Sequence, residues 1–213
     1  GRMTRRWIAC LLVVLASCGT TTTVVPDGPK LLADGRALDL RDEPAEAPTG
    51  PGVGFRLEAS SRTPERRFIT ARPREGEAYP AILVGPTGAE GWRRLTLWDP
   101  GLPGFTWEFV GPVGTSEAIF AVLDAGAGTS CFELVIVASP DWGGSWRERG
   151  RLRKPDARAK VARVTMDVFG NGRITLRLDW ADDLEAQVGF YHFDTKDGGM
   201  TFAPALFEPI EGG

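Results

Sequence analysis

The second half of the chain repeats itself with a fixed step, and a short turn signature shows this most clearly. The eight-residue pattern Ser/Thr-x-Asp-x-Gly-x-Ser/Thr-Trp/Phe occurs at 139–146 and again 56 residues later at 195–202. A degraded copy at 85–92 keeps only the closing Trp92. The defining residues are Ser139, Asp141, Gly143, Ser145 and Trp146 in the first full copy, and Thr195, Asp197, Gly199, Thr201 and Phe202 in the second. A repeat of this length predicts stacked supersecondary units of similar structure.

The spacing of apolar residues predicts the same four strands in every unit. In the third unit, apolar and polar residues alternate over 162–168 and 173–180, and Asn171-Gly172 between them is typical of a type I′ turn. A third strand is predicted over 187–193, before the signature, and a fourth over 202–207, after it. Corresponding segments in the other units give three repeats, each predicted to be a four-stranded antiparallel meander: 51–104, 105–160 and 161–213.

This signature resembles the Asp-box, or BNR repeat, of bacterial sialidases and related β-propellers. In that family the box forms the turn between the third and fourth strands of a four-stranded blade. The resemblance covers residues 51–213 and implies an all-β fold of three four-stranded antiparallel Asp-box blades, arranged like part of a β-propeller. Because three blades do not readily close a ring, three arrangements stay open. A hairpin from the N-terminal part completes the array, a second chain or another partner completes it, or the array is open and self-associates.

The chemistry of the signature indicates a folding device. A carboxylate in a tight turn accepts backbone N–H groups, the Gly allows a positive φ, and the hydroxyl residues tie the turn together while the aromatic residue packs into the core. Asp141 and Asp197 are therefore predicted to be structural and not catalytic.

The first residues have the pattern of an export signal. A short basic segment precedes an apolar run over 7–15, which is too short to span a bilayer as a permanent helix. Leu15-Ala16-Ser17-Cys18 then resembles the lipobox of bacterial lipoprotein precursors. The resemblance implies that 1–17 are a lipoprotein signal peptide that is removed and that Cys18 is lipidated. It places the protein in the bacterial cell envelope, and Gly19 favours the outer membrane, on its periplasmic face or at the cell surface.

The segment between this signal and the repeats is predicted to connect them. Residues 18–50 comprise the lipidated Cys and a polar tether, a short hairpin over 30–40, and a linker rich in Pro, Gly and acidic residues from 41 onward. Cys131 would be the last cysteine of the mature chain, so no intramolecular disulfide is expected. We expect it to be a small buried apolar residue of a strand.

Composition and motifs exclude several classes of function. The formal net charge of −3 makes nucleic acid an unlikely partner. No fingerprint of a nucleotide cofactor or of a zinc site occurs, and the single histidine, His192, is insufficient for a metal site or a catalytic triad. The acidic residues Asp179, Asp182, Asp183 and Glu185 are interpreted as a solvated hairpin turn. We therefore expect neither a cofactor nor a metal ion.

The resemblance to sialidases also implies a catalytic set. That set comprises three arginines that hold a carboxylate, a Tyr nucleophile assisted by a Glu, and an Asp acid/base. Arg56 lies where the first arginine motif would be, but the Pro of that motif is missing, and Tyr79 and Tyr191 are the only tyrosines. No catalytic residue can be assigned. The sequence therefore predicts a non-catalytic module that binds a glycan or a protein, with a sialidase-like glycoside hydrolase as the alternative.

Two further groups of residues are candidates for binding. Arginines at alternate positions of a predicted strand are expected to share one face, where they would either hold an anionic polysaccharide or phosphate or protect a sheet edge from aggregation, the second being favoured. These residues are Arg147, Arg149, Arg151 and Arg153. Trp98, Trp107 and Trp142 would stack on sugars if they were exposed, although core positions are favoured for them.

Overall fold

The computed structural model describes residues 32–48, 56–62, 66–72, 79–86, 90–113, 117–124, 132–181 and 186–210. Within these ranges the chain contains antiparallel β-strands and no helix, so the predicted all-β class is confirmed. The expectations for the signal segment, Cys18, Cys131 and 182–185 lie outside the described residues. For 56–62 and 66–72 we describe only the strands that they form.

Fourteen strands form three separate sheets. They are β1 (Arg36–Ala37), β2 (Leu40–Ala45), β3 (Arg56–Arg62), β4 (Arg66–Arg72), β5 (Ala81–Pro86), β6 (Trp92–Leu97), β7 (Thr106–Pro112), β8 (Ile119–Asp124), β9 (Glu133–Ser139), β10 (Arg147–Arg153), β11 (Lys160–Met166), β12 (Gly172–Leu178), β13 (Gly189–Thr195) and β14 (Leu206–Pro209). The first sheet has the order β2-β6-β5-β4-β3, the second β1-β10-β9-β8-β7, and the third β11-β12-β13-β14. Each repeat thus forms one antiparallel meander, as the register of the repeats predicted.

The segment before the repeats differs from the prediction. β1 and β2 do not pair with each other, so the hairpin expected over 30–40 is wrong, and 41–45 is a strand and not a linker. β1 is added to β10 of the second sheet, whereas β2 is added to β6 of the first. Because these pairings join residues far apart in sequence, the local pattern could not indicate them.

The second sheet is buried on both faces. In β8, Ile119, Ala121 and Leu123 pack in an apolar cluster with the first sheet. The alternate residues Phe120 and Val122 belong to a second cluster, which they share with the third sheet. Two-sided burial explains why β8 and β9 are continuous apolar runs, whereas β12 of the third sheet alternates between apolar and polar residues.

The loop between β11 and β12 also differs from the prediction. Asp167 closes it, because its Oδ1 accepts hydrogen bonds from the backbone N–H of Phe169 at 2.9 Å and of Asn171 at 2.8 Å. Gly170 has the positive φ of +82°, and Gly172 is already the first residue of β12. The type I′ turn predicted at Asn171-Gly172 is therefore wrong, since the side chain of Asp167 stabilises a longer loop.

The first signature turn joins β9 to β10. Ser139 Oγ donates to Asp141 Oδ1 at 2.9 Å and accepts from the N–H of Gly143 at 2.7 Å. Across the turn, the N–H of Ser145 donates to Asp141 Oδ1 at 2.8 Å, and its hydroxyl donates to Oδ2 at 2.9 Å. Trp146 is buried against Trp107, with ring centroids 5.3 Å apart.

The second signature turn repeats this geometry between β13 and β14. Thr195 Oγ1 donates to Asp197 Oδ1 at 2.8 Å and accepts from the N–H of Gly199 at 3.0 Å. The backbone N–H groups of Met200 and Thr201 donate to the same carboxylate oxygen, and the Thr201 hydroxyl donates to Oδ2 at 2.6 Å. These bonds hold the pKa of Asp197 below its usual value, although burial opposes them. Both turns thus have a carboxylate at their centre.

Substitution of Gly199 by Ala is expected to lower the free energy of unfolding by about 2 kcal/mol. Gly199 has φ +86°, and an added Cβ would lie 2.7 Å from Ile136 Cγ2 of the second sheet, so backbone strain and a steric clash combine. Gly104→Ala is the matched control: φ there is +82°, but an added Cβ would meet nothing within 4 Å. Urea denaturation of both variants separates the two effects, and equal losses of stability would contradict the close packing at Gly199.

Candidate ligand-binding face

The outer faces of the first and third sheets differ in chemistry. On the first sheet, Leu83 and Trp92 are buried and pack with Ala45 and Ala47 of the preceding segment. The third sheet turns its apolar side chains, such as Ile174 and Leu176, toward the second sheet. Its outer face carries the alternate side chains, which are mostly polar and charged. This face is therefore exposed to solvent and is not a continuation of the core.

Strand register brings the polar residues of the third sheet into rows. Arg163 of β11 lies opposite Thr175 of β12, which lies opposite His192 of β13. In the next row Arg173 lies opposite Asp194. An open groove of about 560 Å³ follows these rows, a size that fits a small ligand. The side chains that define its chemistry are Arg163, Arg173, Thr175, Phe190, His192 and Glu208.

His192 lies between a hydroxyl and a carboxylate. Its Nδ1 is 3.0 Å from Thr175 Oγ1, and its Nε2 is 3.1 Å from Glu208 Oε2. Neighbouring side chains therefore engage both ring nitrogens of His192. Thr175 is buried and its hydroxyl contacts the imidazole, so the row fixes the orientation of His192 and does not expose the Thr175 hydroxyl as a nucleophile.

Among the described residues, some charged side chains of this face form ion pairs and Arg163 does not. Arg173 and Asp194 form two hydrogen bonds of 2.6 and 2.8 Å, and this arginine lowers the pKa of the Asp194 carboxyl. Arg177 donates to Asp179 at 2.7 Å. Arg163, by contrast, is exposed and has no hydrogen-bond or ion-pair partner among the described residues. Among the described residues, no carboxylate therefore lies in hydrogen-bond contact with the Arg163 guanidinium.

An aromatic ring lies beside this charge. Phe190 is half-buried and lies nearly parallel to the imidazole of His192, at 18° with ring centroids 6.5 Å apart. The guanidinium of Arg177 lies 5.9 Å from the centre of the same ring. A ring, an imidazole and a free guanidinium together can contact the apolar side of a sugar and bind a negatively charged group.

The predicted arginine stripe on β10 is wrong. The register shifts between Glu148 and Gly150, which makes Arg149 the extra residue of a β-bulge. Arg147 then lies opposite Ala138 of the cluster shared with the third sheet, whereas Arg151 lies opposite Val135 of the other cluster. Because opposite residues share a face, Arg147 and Arg151 point to different faces.

The individual arginines of β10 also have other partners. Arg151 donates to Glu148 and to Glu133 at 2.7 and 2.8 Å, and Arg153 lies 5.9 Å from the ring centre of Phe132. These contacts place β10 in a network of surface ion pairs. They are consistent with edge protection and not with an anion-binding stripe.

Arg149 itself is only 5 % exposed. Its guanidinium donates to the backbone carbonyls of Asp34, Asp197 and Gly198 at 2.5, 2.6 and 3.1 Å. Burial lowers the pKa of Arg149, although a guanidinium stays protonated. Arg149 therefore joins the second sheet to the signature turn of the third sheet and to the N-terminal segment.

The three tryptophans that were candidates for stacking on sugars differ in exposure. Trp107 and Trp142 are buried, as favoured for them, whereas Trp98 is 45 % exposed. The guanidinium of Arg41 lies 4.2 Å from the centre of the Trp98 ring, and the Tyr79 ring lies 4.3 Å away between centroids. Trp98 is exposed despite these contacts, so the core position favoured for it is wrong.

Tyr191 points away from the ligand-binding face. It packs against Phe207 with ring centroids 5.1 Å apart, and its hydroxyl bonds to the backbone N–H and carbonyl of Gln187. The hydroxyl is therefore engaged with the backbone and is poorly placed to attack a ligand on the outer face.

The chain is an all-β protein of three antiparallel sheets, and the outer face of the third sheet is polar and partly basic. No protein family, curated protein or solved structure matches the chain. Within the described residues, no helix is long and apolar enough to span a membrane, and no cluster of three potential metal-binding His, Cys, Asp or Glu side chains occurs. Alternation in the sequence indicated polar positions for Arg163 and Thr175, whereas no such pattern marked His192. Only strand pairing brings them together.

Proposed function

We propose that the protein is a membrane-anchored extracytoplasmic lipoprotein of the bacterial cell envelope that binds a glycan without catalysis. The anchor rests on the lipobox-like sequence at Cys18, with the outer membrane as the favoured location. The binding activity rests on the outer face of the third sheet. The single observation that carries it is that Arg163, which has no hydrogen-bond or ion-pair partner among the described residues, lies at a groove that also contains His192 and the Phe190 ring.

The chemistry of this groove favours a sugar that carries a negatively charged group. Arg163 would form a charge-assisted hydrogen bond with that group, because its guanidinium has no competing carboxylate among the described residues. Phe190 would contact the apolar side of a sugar ring, and His192 would contact a hydroxyl group. A protein partner with an acidic surface is the second candidate, since the same basic groups would serve it.

We also propose that the three sheets are blades of an incomplete, β-propeller-like array. Support comes from the stacking of consecutive sheets and from the signature turns, each of which contacts the preceding sheet: Gly143 borders Leu95, and Gly199 borders Ile136. The polar outer face of the third sheet disfavours completion of a ring through that face, because charged groups would lose water there. Self-association would therefore use another surface.

A sialidase-like hydrolase remains the alternative because of the Asp-box resemblance. Among the described side chains, the bonds of Tyr191 to Gln187 favour the non-catalytic proposal. No step of hydrolysis can be assigned to residues of the candidate face, since Glu208 is bound to His192 and the hydroxyl of the buried Thr175 contacts the imidazole.

Substitution of Arg163 by Ala is expected to weaken binding of acidic glycans by about tenfold or more, the usual consequence of losing a charge-assisted hydrogen bond. A glycan array that includes neutral, carboxylated and sulfated sugars provides the measurement. Arg153→Ala is the matched control, because Arg153 is an exposed arginine on another sheet. Both variants should keep the stability of the parent chain, since each changes an exposed side chain.

Two results would contradict this proposal. One is glycan binding that Arg163→Ala and Arg153→Ala weaken equally, which would indicate general charge attraction. The other is turnover of fluorogenic sialosides that is lost when Arg56 is replaced by Ala, which would support the hydrolase.

A further inference from the structure

The outermost strands of the three meanders are covered unequally. β6 and β10, the fourth strands of the first two meanders, each carry an added antiparallel strand: β2 lies on β6, and β1 lies on β10. β14 is the equivalent strand of the third meander, and no described strand pairs with its outer edge. Leu206 and Phe207 of β14 are 58 % and 39 % exposed. An edge with unpaired backbone groups and exposed apolar side chains is suited to receive another strand.

Both added strands belong to one continuous segment that crosses the sheets in reverse order. From Ala45 toward the N-terminus, the chain first forms β2 on the first sheet and then β1 on the second. Between them, Leu38 lies in the apolar cluster that these two sheets share, and its N–H donates to the carbonyl of Trp146 in the first signature turn. The crossing from one sheet to the next thus occurs at a signature turn.

The first described residues make the same kind of contact between the second and third sheets, again at a signature turn. Leu32 is 1 % exposed in the cluster that the second and third sheets share, and it borders Gly198 in the second signature turn. Two residues later, the carbonyl of Asp34 shares the guanidinium of Arg149 with the carbonyl of Asp197. Leu32, the first described residue, therefore lies beside the turn that leads into β14.

We propose that residues 20–31 dock on the outer edge of β14 as an added antiparallel strand. The third sheet would then be covered by the same segment, in the same manner, as the other two. The sequence suits this role, because residues 20–25 are Thr-Thr-Thr-Thr-Val-Val, and β-branched residues favour strands. Six such residues span about 20 Å, more than the four residues of β14, and 26–31 provide the connection to Leu32.

Amide hydrogen exchange of the full chain in detergent micelles, followed by NMR, tests the proposal. The β14 amides that point away from β13 should be protected in the unsubstituted chain, and cross-strand Cα–H contacts should join 20–31 to β14. Single proline substitutions then define the pairing. Thr22→Pro and Val24→Pro remove N–H groups on one side of the added strand, and Thr23→Pro and Val25→Pro remove those on the other side. The two substitutions on the side that faces β14 should each accelerate exchange of the β14 amides about tenfold or more. The two substitutions on the side that faces away from β14 are the matched control, because only alternate N–H groups face the partner strand.

Several results would overturn the proposal. Fast exchange of the outward β14 amides in the unsubstituted chain would show an open edge, whatever the variants do. Protection that neither pair of proline substitutions reduces would show that another segment covers the edge, and protection that decreases on dilution would identify a second copy of the chain. Amides of Val135 and Ile136 in β9 should stay protected throughout, which establishes that the variants remain folded.

Discussion

Replacement of Arg149 by Met is expected to lower the free energy of unfolding by about 4 kcal/mol, the largest effect of any single substitution considered for this chain. The methionine retains most of the apolar stem but donates no hydrogen bond. The carbonyls of Asp34, Asp197 and Gly198 would lose a shared donor in a site that is 5 % exposed. Each unsatisfied buried carbonyl costs free energy because water cannot replace the lost donor.

Urea denaturation measures this effect, and Arg153→Met is the matched control. Arg153 is on the same strand but is exposed, so its replacement should change stability by less than about 1 kcal/mol. Arg149→Lys should recover only part of the loss, since one ammonium group cannot reproduce the geometry of the guanidinium fork. A loss at Arg149→Met no larger than that at Arg153→Met would show that the three carbonyl contacts contribute little to stability.

Replacement of Asp197 by Ala is expected to lower the free energy of unfolding by about 3 kcal/mol at neutral pH. The carboxylate accepts hydrogen bonds from the hydroxyls of Thr195 and Thr201 and from the N–H groups of Met200 and Thr201. Alanine removes every acceptor at the centre of the turn. Asp197→Asn should cost less, because the amide oxygen can keep the three bonds that now reach Oδ1.

The two Asp197 variants should also change how stability depends on pH. The pKa of Asp197 is lowered in the folded protein, so its contribution is present above the unfolded pKa of about 4 and is lost as the pH falls through the folded value. The difference in stability between the parent chain and either variant should therefore shrink as the pH falls below about 4. Denaturation curves across this range test it. A difference that stays constant in acid would mean that the charge of Asp197 does not stabilise the turn.

The meanders and the signature turns could be predicted because their causes are local. Alternation of apolar and polar residues indicates which residues of a strand share a face. Among the described residues, the carboxylates of Asp141 and Asp197 accept hydrogen bonds from groups within four positions of themselves. The prediction of a type I′ turn at Asn171-Gly172 was wrong for a local reason as well. Asp167 offers the backbone a competing set of hydrogen bonds, which the dipeptide pattern does not reveal.

Arg149 shows why the candidate sites on β10 could not be predicted. Strict alternation assigns all four arginines of that strand to one face, but a single extra residue in the ladder reverses the face on which the following side chains lie. The same bulge directs Arg149 toward Asp34, which is 115 positions away in the chain. No pattern within the strand records a partner at that distance.

The sequence by itself determined that this protein is built from three antiparallel meanders, and it placed two aspartates at the centres of their turns, because periodicity and turn chemistry act over a few residues. Only the tertiary structure decided which sheets the N-terminal segment covers, which arginines are buried, and that Arg163, Phe190 and His192 line one groove. Those outcomes depend on pairing between distant strands. There, the free energy comes from burial and hydrogen bonds that exist only after the sheets have stacked.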